Sequence, residues 1–209
     1  MPEPTATLTD LSVPTTVRAV ALVLHGGKAH SYQAAMPSQL AAVRMRPFAA
    51  AMQRRGSALG LAVSSLGYRY QGWNADAQSP VVDARWALEE LRNRYGDVPV
   101  VLVGHSMGGR AVLRVAGTAA VTGVVALAPW LERTDPVQPL VGKRVLIAHG
   151  NLDFVTSPRA SRKFATRAQA AGADVTYRTI HGDSHAMLLR PRSWHRLTAC
   201  AVLDFAGLS

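Results

Sequence analysis

The sequence lacks several features whose absence limits what the protein can be. It has one cysteine, Cys200, so no internal disulfide can form, and the apolar residues around this position predict a small buried side chain. No apolar run approaches the roughly 20 residues that a membrane-spanning helix needs. The first nine residues have neither the basic nor the apolar segment of a secretory signal peptide. We therefore expect a cytoplasmic protein that does not interact with membranes.

Acidic residues and lysine are also scarce. The chain has 13 acidic and 23 basic residues, which gives a formal net charge of +10, and nearly all the basic residues are arginine. A strong positive charge is common in proteins that bind nucleic acids. None of the sequence signatures of nucleic-acid-binding folds occurs here, however. We interpret the charge as solvated surface arginine and expect no nucleic-acid partner.

Length and patterning predict one α/β domain. The 209 residues, of which 48% are hydrophobic and 17% charged, are enough for a single soluble core. Apolar runs typical of buried strands alternate with amphipathic segments typical of helices. The predicted strands are residues 17–24, 58–64, 98–103, 121–127, 145–148 and 174–180; the predicted helices are residues 39–54, 81–95, 107–116, 161–171 and 193–205. This alternation predicts an open, doubly wound, mostly parallel sheet of about six strands.

The positions of the predicted strands and helices indicate how the chain is divided into segments. Residues 1–16 are expected to form an N-terminal arm or a short edge strand, and residues 17–209 a single domain. The segment 129–144, between two predicted strands, is too short to form a helical cap domain. We therefore expect a site that is open or covered only by loops.

A candidate nucleophile follows the predicted strand 98–103. The run Gly104-His105-Ser106-Met107-Gly108 fits G-x-S-x-G, a sharp strand-to-helix turn that exposes a strained serine. Glycine is needed at positions 104 and 108 because side chains there would collide. An ordinary glycine-rich turn is the alternative, but the strand before and the helix after are the context that the motif requires. We predict that Ser106 is a nucleophile and that His105 has a packing or orienting role.

A serine hydroxyl needs a base, and the base needs an orienting group. In the order Ser, Asp, His, the candidate acid is Asp153, in the loop after the predicted strand 145–148, with Asp135 as the alternative. The candidate base is His185, in the loop after the last predicted strand, rather than His181 at the end of that strand. The spacing of His181, Asp183 and His185 also fits a metal site. We do not favour that reading, because a further convincing ligand is missing.

Backbone amides near the serine would complete the site. The amide of Met107 and an amide from the turn Gly26-Gly27 are expected to hold the oxyanion of a tetrahedral intermediate, with Gly27 as the second donor and Lys28 as its alternative. Substrate-binding candidates in the surrounding loops are Lys28, Tyr68, Trp130 and Phe154, although aromatic residues in these loops can equally be core packing.

Together these motifs resemble the α/β-hydrolase superfamily. The His-Gly turn, the serine turn, the aspartate loop and the terminal histidine loop occur in the family's order over residues 24–187. The resemblance implies hydrolysis through an acyl-enzyme without a cofactor or metal. The pattern is most similar to small lidless serine esterases and dienelactone-hydrolase-like proteins, but carries Ser106 where the latter typically have cysteine.

The resemblance implies a small-molecule ester or thioester substrate, and the function it favours is a carboxylic-ester hydrolase. The alternatives are a thioesterase, an acyltransferase, a peptidase, or a non-catalytic binding module on the same fold, since fold alone does not fix function. The sequence leaves the substrate and the oligomeric state open.

Overall fold

The computed structural model describes residues 3–209, and in this range the chain forms seven strands and six α-helices. The strands are β1 (Thr7–Ser12), β2 (Ala19–Leu24), β3 (Leu61–Gly67), β4 (Val100–His105), β5 (Val121–Leu127), β6 (Arg144–Gly150) and β7 (Asp174–Ile180). The helices are α1 (Leu40–Val43), α2 (Arg46–Gly56), α3 (Ser79–Tyr95), α4 (Met107–Val115), α5 (Pro158–Ala170) and α6 (Pro191–Phe205). Short 3-10 helices occupy Ser57–Leu59, Ala75–Ala77 and Gln138–Leu140.

The strands form one sheet in the order β1-β3-β2-β4-β5-β6-β7. All neighbours pair in parallel except β1, which runs antiparallel to β3 at one edge. The predicted α/β-hydrolase fold with an open, mostly parallel sheet is thus confirmed, but the sheet has seven strands instead of about six. The seventh strand, β1, lies at the edge of the sheet, within the segment 1–16 that was expected to form an arm or a short edge strand. The sequence left these alternatives open because the residues of β1 alternate between exposed and half-buried and form no continuous apolar run.

Helices cover both faces of the sheet. One apolar cluster lies between the sheet and α3, α4 and α5, and the other lies between the sheet and α2 and α6. Every residue of β2 and of β4 is buried, so these two strands form the centre of both clusters. Because the six parallel strands point the same way, their carboxyl-terminal loops all meet at one edge of the sheet.

Three local predictions were wrong. The predicted helix 39–54 is interrupted between α1 and α2, because Pro47 can occupy the first turn of a helix but not its interior. The strand predicted at 58–64 begins only at Leu61, after a 3-10 turn that ends at Gly60 with φ of 93°. Cys200 is exposed rather than buried, and the Arg55 guanidinium lies 3.4 Å from its Sγ.

No cap domain covers the sheet in the described part of the chain. The connection from β5 to β6 contains only the 3-10 helix Gln138–Leu140. A buried ion cluster ties this connection to α4. The carboxylate of Asp135 lies 2.9 Å from Arg110 Nε and 2.6 Å from Arg114 Nη2, and it also accepts the backbone amide of Glu132. The connection is therefore fixed to the helix that follows Ser106.

The Arg110 guanidinium also contacts two indole rings, which meet edge to face with their centroids 6.0 Å apart. Its Cζ lies 4.3 Å from the ring centroid of Trp73 and 4.6 Å from that of Trp130. Stacking of a weakly hydrated guanidinium on aromatic faces stabilises it in a buried position. The stack joins the loop after β3 to the loop after β5. No helix within residues 3–209 is both long enough and apolar enough to cross a membrane.

Replacing Asp135 by alanine would leave two guanidinium groups without their shared, buried carboxylate. We expect Asp135→Ala to lower the free energy of unfolding by about 3 kcal/mol, because the buried Arg110 would keep only its ion pair with the half-exposed Glu132 and Arg114 would lose its carboxylate. The matched control is Asp97→Ala, since the ion pair of Asp97 with Arg92 is exposed on both sides. The control should change the free energy of unfolding by less than about 1 kcal/mol. Equal effects in urea-unfolding experiments would contradict this view of the cluster.

Candidate active site

Ser106 lies in a strained turn between β4 and α4. Its φ of 56° and ψ of −116° fall in a region that residues with side chains rarely adopt. Gly104 lies against position 108, as expected from the sequence, but Gly108 has a different neighbour. A Cβ on Gly104 would overlap the backbone of Gly108, whereas a Cβ on Gly108 would lie 2.6 Å from the carbonyl oxygen of Leu24 in β2. Close approach of α4 to the end of β2 is thus what requires glycine at position 108.

The structure brings Ser106, His185 and Asp153 together. Nε2 of His185 lies 3.0 Å from Oγ of Ser106, and Nδ1 lies 2.8 Å from Oδ2 of Asp153. Asp153 follows β6 and His185 follows β7, so two neighbouring strands deliver them. The alternatives from the sequence lie elsewhere. His181 is exposed, and Asp135 is paired with the arginines of α4.

The Asp153 carboxylate is buried and accepts five hydrogen bonds. Oδ1 accepts the amides of Val155 and Thr156 at 2.8 and 2.9 Å. Oδ2 accepts His185 Nδ1 at 2.8 Å, the Thr156 hydroxyl at 2.9 Å and His149 Nε2 at 3.0 Å. Burial alone would raise the pKa of Asp153, but the hydrogen bonds from His149, His185 and Thr156 outweigh it and hold the pKa well below its usual range. The group is therefore a carboxylate at all ordinary pH values.

Two members of this network, His149 and Thr156, were not predicted from the sequence. His149 is fully buried at the end of β6, and its Nδ1 lies 2.9 Å from the Ser161 hydroxyl. Because a carboxylate only accepts, Nε2 of His149 carries the proton and Nδ1 accepts from Ser161. The Thr156 hydroxyl lies between Asp153 Oδ2 and His185 Nδ1, 3.1 Å from the latter. The available signal was that both residues lie within four positions of Asp153 in the sequence, His149 at the end of β6 and Thr156 in the loop after it.

His105 contacts the loop after β7, which carries His185. It is buried, its ring centroid lies 4.7 Å from that of His185, and its Nε2 lies 3.1 Å from the His185 carbonyl oxygen. Burial lowers the pKa of His105 to about 3, so the ring is neutral and donates from Nε2 to this carbonyl. The orienting role expected for His105 thus corresponds to a contact with the backbone of His185.

A buried aspartate fixes the rest of the histidine loop. The carboxylate of Asp183 accepts the amides of Ser184, Leu189 and Arg190 at 2.7, 3.3 and 2.8 Å, and the indole N–H of Trp194 at 2.9 Å. These four donors hold both ends of the loop that carries His185. Asp183 is thus a structural anchor for the loop.

The turn after β2 lies against the serine. A Cβ added to Gly26 would lie 3.3 Å from Cβ of Ser106, and one added to Gly27 would overlap the side chain of Met107. The Lys28 amide donates to the Gln71 carbonyl at 2.8 Å and is already engaged. The Met107 amide opens α4, where helix N–H groups have no partner within the helix. The sequence predicted the amide of Gly27 or of Lys28 as the second hydrogen-bond donor to the oxyanion. Because the Lys28 amide is engaged, Gly27 fits this role better.

The four expected substrate-binding residues have different surroundings in the structure. Lys28 is exposed, and Phe154 is almost fully exposed beside Asp153. Tyr68 is buried and donates to the His25 carbonyl at 3.1 Å, on the wall of a cavity of about 270 Å³ that extends toward β1. Trp130 is half-buried on the Arg110 guanidinium, and its amide donates to the Ser106 carbonyl at 3.1 Å.

Comparisons with known structures agree with this architecture. A lidless α/β serine hydrolase of Xanthomonas campestris superposes with a TM-score of 0.68 at 17% identity, covering 96% of this chain and 88% of that chain. Est1E of Butyrivibrio proteoclasticus, solved with ferulic acid bound, gives 0.67 at 16% identity, covering 97% and 95%. A monoacylglycerol lipase of Paleococcus ferrophilus gives 0.66 at 16% identity, covering 98% and 100%. At these identities the similarity shows the fold alone.

Similarity at the sequence level identifies the family. No curated protein shows significant similarity to the chain. The model of the Hydrolase_4 family, described as serine aminopeptidase, S33, matches residues 15–146, which include β2, β4 and the Ser106 turn. The chain therefore belongs to this S33 family of α/β serine hydrolases.

Proposed function

We propose that the protein is a serine hydrolase that cleaves carboxylic esters through an acyl-enzyme on Ser106. The observation that supports this most strongly is the hydrogen-bonded series Ser106, His185 and Asp153, which ends on a serine in strained backbone geometry. A nucleophile next to a base that is oriented by a third group is the arrangement that acyl transfer requires. The proposed roles are nucleophile for Ser106, general base for His185 and orienting acid for Asp153.

The geometry supports a two-step reaction. His185 Nε2 takes the proton of the Ser106 hydroxyl as its oxygen bonds to the ester carbonyl carbon. The carbonyl oxygen becomes an oxyanion, and the Met107 and Gly27 amides are the proposed donors to it. Collapse breaks the bond to the alcohol oxygen, which receives the proton from His185 and leaves. Water then repeats the sequence on the acyl-enzyme and releases the carboxylic acid.

The carboxylates bonded within the site offer no free partner for the ammonium group of a peptide substrate. An aminopeptidase needs an available carboxylate for the substrate's ammonium group. In the loops that follow β2 to β7, the carboxylates of Glu132, Asp135, Asp153 and Asp183 are already paired, whereas Asp76, on the 3-10 helix after β3, is exposed and has no ion pair among the described residues. Two of the similar structures are an esterase and a lipase by name. A thioesterase has the same catalytic requirements, so thioester turnover should be measured beside ester turnover.

The proposed roles of Ser106 and His185 can be tested together. Ser106→Ala and His185→Ala should each lower kcat for a short p-nitrophenyl ester by about 10⁴-fold or more, because nucleophile and base act as a unit. The matched control is His181→Ala, which removes an exposed histidine from the same loop. It should stay within about twofold of wild type, since isolated surface changes are usually neutral.

Fluorophosphonate labelling provides the second readout for these variants. Wild type and His181→Ala should be labelled, and Ser106→Ala should not. A well-folded wild type that neither reacts with the probe nor turns over esters would refute the proposed function and support a binding module.

His149 offers a test of the carboxylate network. We expect His149→Phe to lower kcat about tenfold with little change in KM, because Asp153 Oδ2 loses one of its three contacts and orients His185 less firmly. His149→Gln, whose amide can still donate to Asp153, should recover part of the loss. The control is His195→Phe, a histidine on α6 that stacks on Phe48 away from the site. Equal kcat in His149→Phe and wild type would contradict the positioning role.

The buried, neutral His105 predicts acid-sensitive stability. Its folded pKa, about 3, is below the value in the unfolded chain, so between these values the unfolded state binds the extra proton and stability falls as pH falls. From pH 7 to pH 5 this should cost about 2 kcal/mol. His25 and His195 also have lowered pKa values and act in the same direction.

Substitution of His105 separates its contribution from theirs. Urea unfolding of His105→Gln, which keeps an N–H donor but does not titrate, should lose about 2 kcal/mol less than wild type over the same interval. Identical losses in the two proteins would show that His105 is not buried in its neutral form.

A further inference from the structure

Five large apolar side chains are exposed around the candidate active site, and we call them the apolar rim: Leu152, Phe154, Val155, Leu188 and Leu189. Phe154 is 94% exposed and Val155 is 74% exposed, while Leu188 and Leu189 are 65% and 66% exposed. Such exposure is unusual for several large apolar residues in two short loops, and clustered apolar exposure marks interaction sites. The rim needs a partner that removes these side chains from water.

The rim is one surface, because two hydrogen-bonded loops carry it. The Leu152 amide donates to the Asp183 carbonyl at 3.0 Å, and the Leu189 amide donates to the Asp183 carboxylate at 3.3 Å. Between them, Asp153 and His185 are joined at 2.8 Å, directly before Phe154 and Val155 in the first loop. The loops are therefore held side by side, and the exposed apolar residues flank the pair of Asp153 and His185 in the chain.

The charge around the rim has one sign. Within four residues of it along the chain stand three exposed arginines, Arg159, Arg190 and Arg192. The carboxylates of these loops, Asp153 and Asp183, are buried and fully engaged with donors. Exposed apolar side chains bordered by arginine complement a surface whose outer layer is anionic and whose interior is apolar.

We propose that the apolar rim docks onto an anionic phospholipid surface, with the arginines contacting the headgroups. Apolar side chains of this kind enter the boundary between headgroups and acyl chains, and nearby basic residues add attraction to anionic lipids. A second copy of the chain is a poorer occupant, because two rims bordered by arginine would repel each other in a protein of net charge +10. Docking is independent of the proposed chemistry, and it would hold the Ser106 opening at the lipid face.

The test is co-sedimentation of the full-length protein with vesicles. The probes are vesicles of phosphatidylcholine alone and of phosphatidylcholine with 30% phosphatidylglycerol, at low and at physiological salt. Wild type should bind the anionic vesicles at least tenfold more tightly than the neutral ones. Leu188→Ser with Leu189→Ser should weaken this binding at least tenfold. Val141→Ser, a 54% exposed residue before β6 at the opposite edge of the sheet, is the matched control and should bind like wild type.

A second pair of variants separates specific docking from general charge. Arg190→Gln with Arg192→Gln should weaken binding several-fold more than Arg85→Gln with Arg92→Gln, which removes the same charge from α3. Hydrolysis of a soluble ester without vesicles should be unchanged in all four double or single variants, so loss of docking is distinguishable from loss of catalysis.

Three outcomes would overturn the proposal. They are the absence of vesicle binding by folded wild type, equal binding by the rim variant and the Val141 control, and a concentration-dependent dimer that disappears when Leu188 and Leu189 are replaced. The last outcome would assign the rim to a second copy of the chain.

Discussion

The Asp153 carboxylate is the group on which the candidate site depends. Its five hydrogen bonds come from the loop after β6, from β6 itself and from the loop after β7. Without them, a charge buried at this position would be too costly to keep. The carboxylate therefore determines both the shape of its own loop and the position of His185. Ser106 has its place independently, through the strained turn and the packing of α4 against β2.

Sharing one oxygen among several donors also affects the proposed chemistry. Asp153 Oδ2 is in contact with His149 and Thr156 as well as with His185. The added donors fix the direction of the carboxylate and spread its negative charge. The His185 imidazole is therefore oriented firmly. Its protonated form is attracted less strongly than it would be by a carboxylate oxygen without other donors. Such preorganisation by neighbouring groups is what keeps a catalytic side chain in productive geometry.

The sequence predicted the chain order of the site and the class of fold, because both depend on local patterns. The motif around Ser106 and the strand-end positions of Asp153 and His185 could be recognised from a few neighbouring residues each. His149 and Thr156 could not, since their importance depends on which atoms meet after folding. The exposure of Phe154 could not be predicted, because residue type alone does not determine whether an aromatic side chain in a loop is buried. Long apolar runs indicate membrane-spanning segments only, whereas the exposed Leu188 and Leu189 stand in a short loop without such a run.

The short connection between β5 and β6 has a consequence for the fate of an acyl group. With Asp135 bound to α4 and no cap in the described residues, the connection has no segment that could close over Ser106 to exclude water. An enzyme that transfers acyl groups to another acceptor must exclude water, which is present at far higher concentration than any competitor. The open architecture leaves this chain without such exclusion. In the proposed mechanism the acyl-enzyme would therefore transfer its acyl group mainly to water and release the free acid.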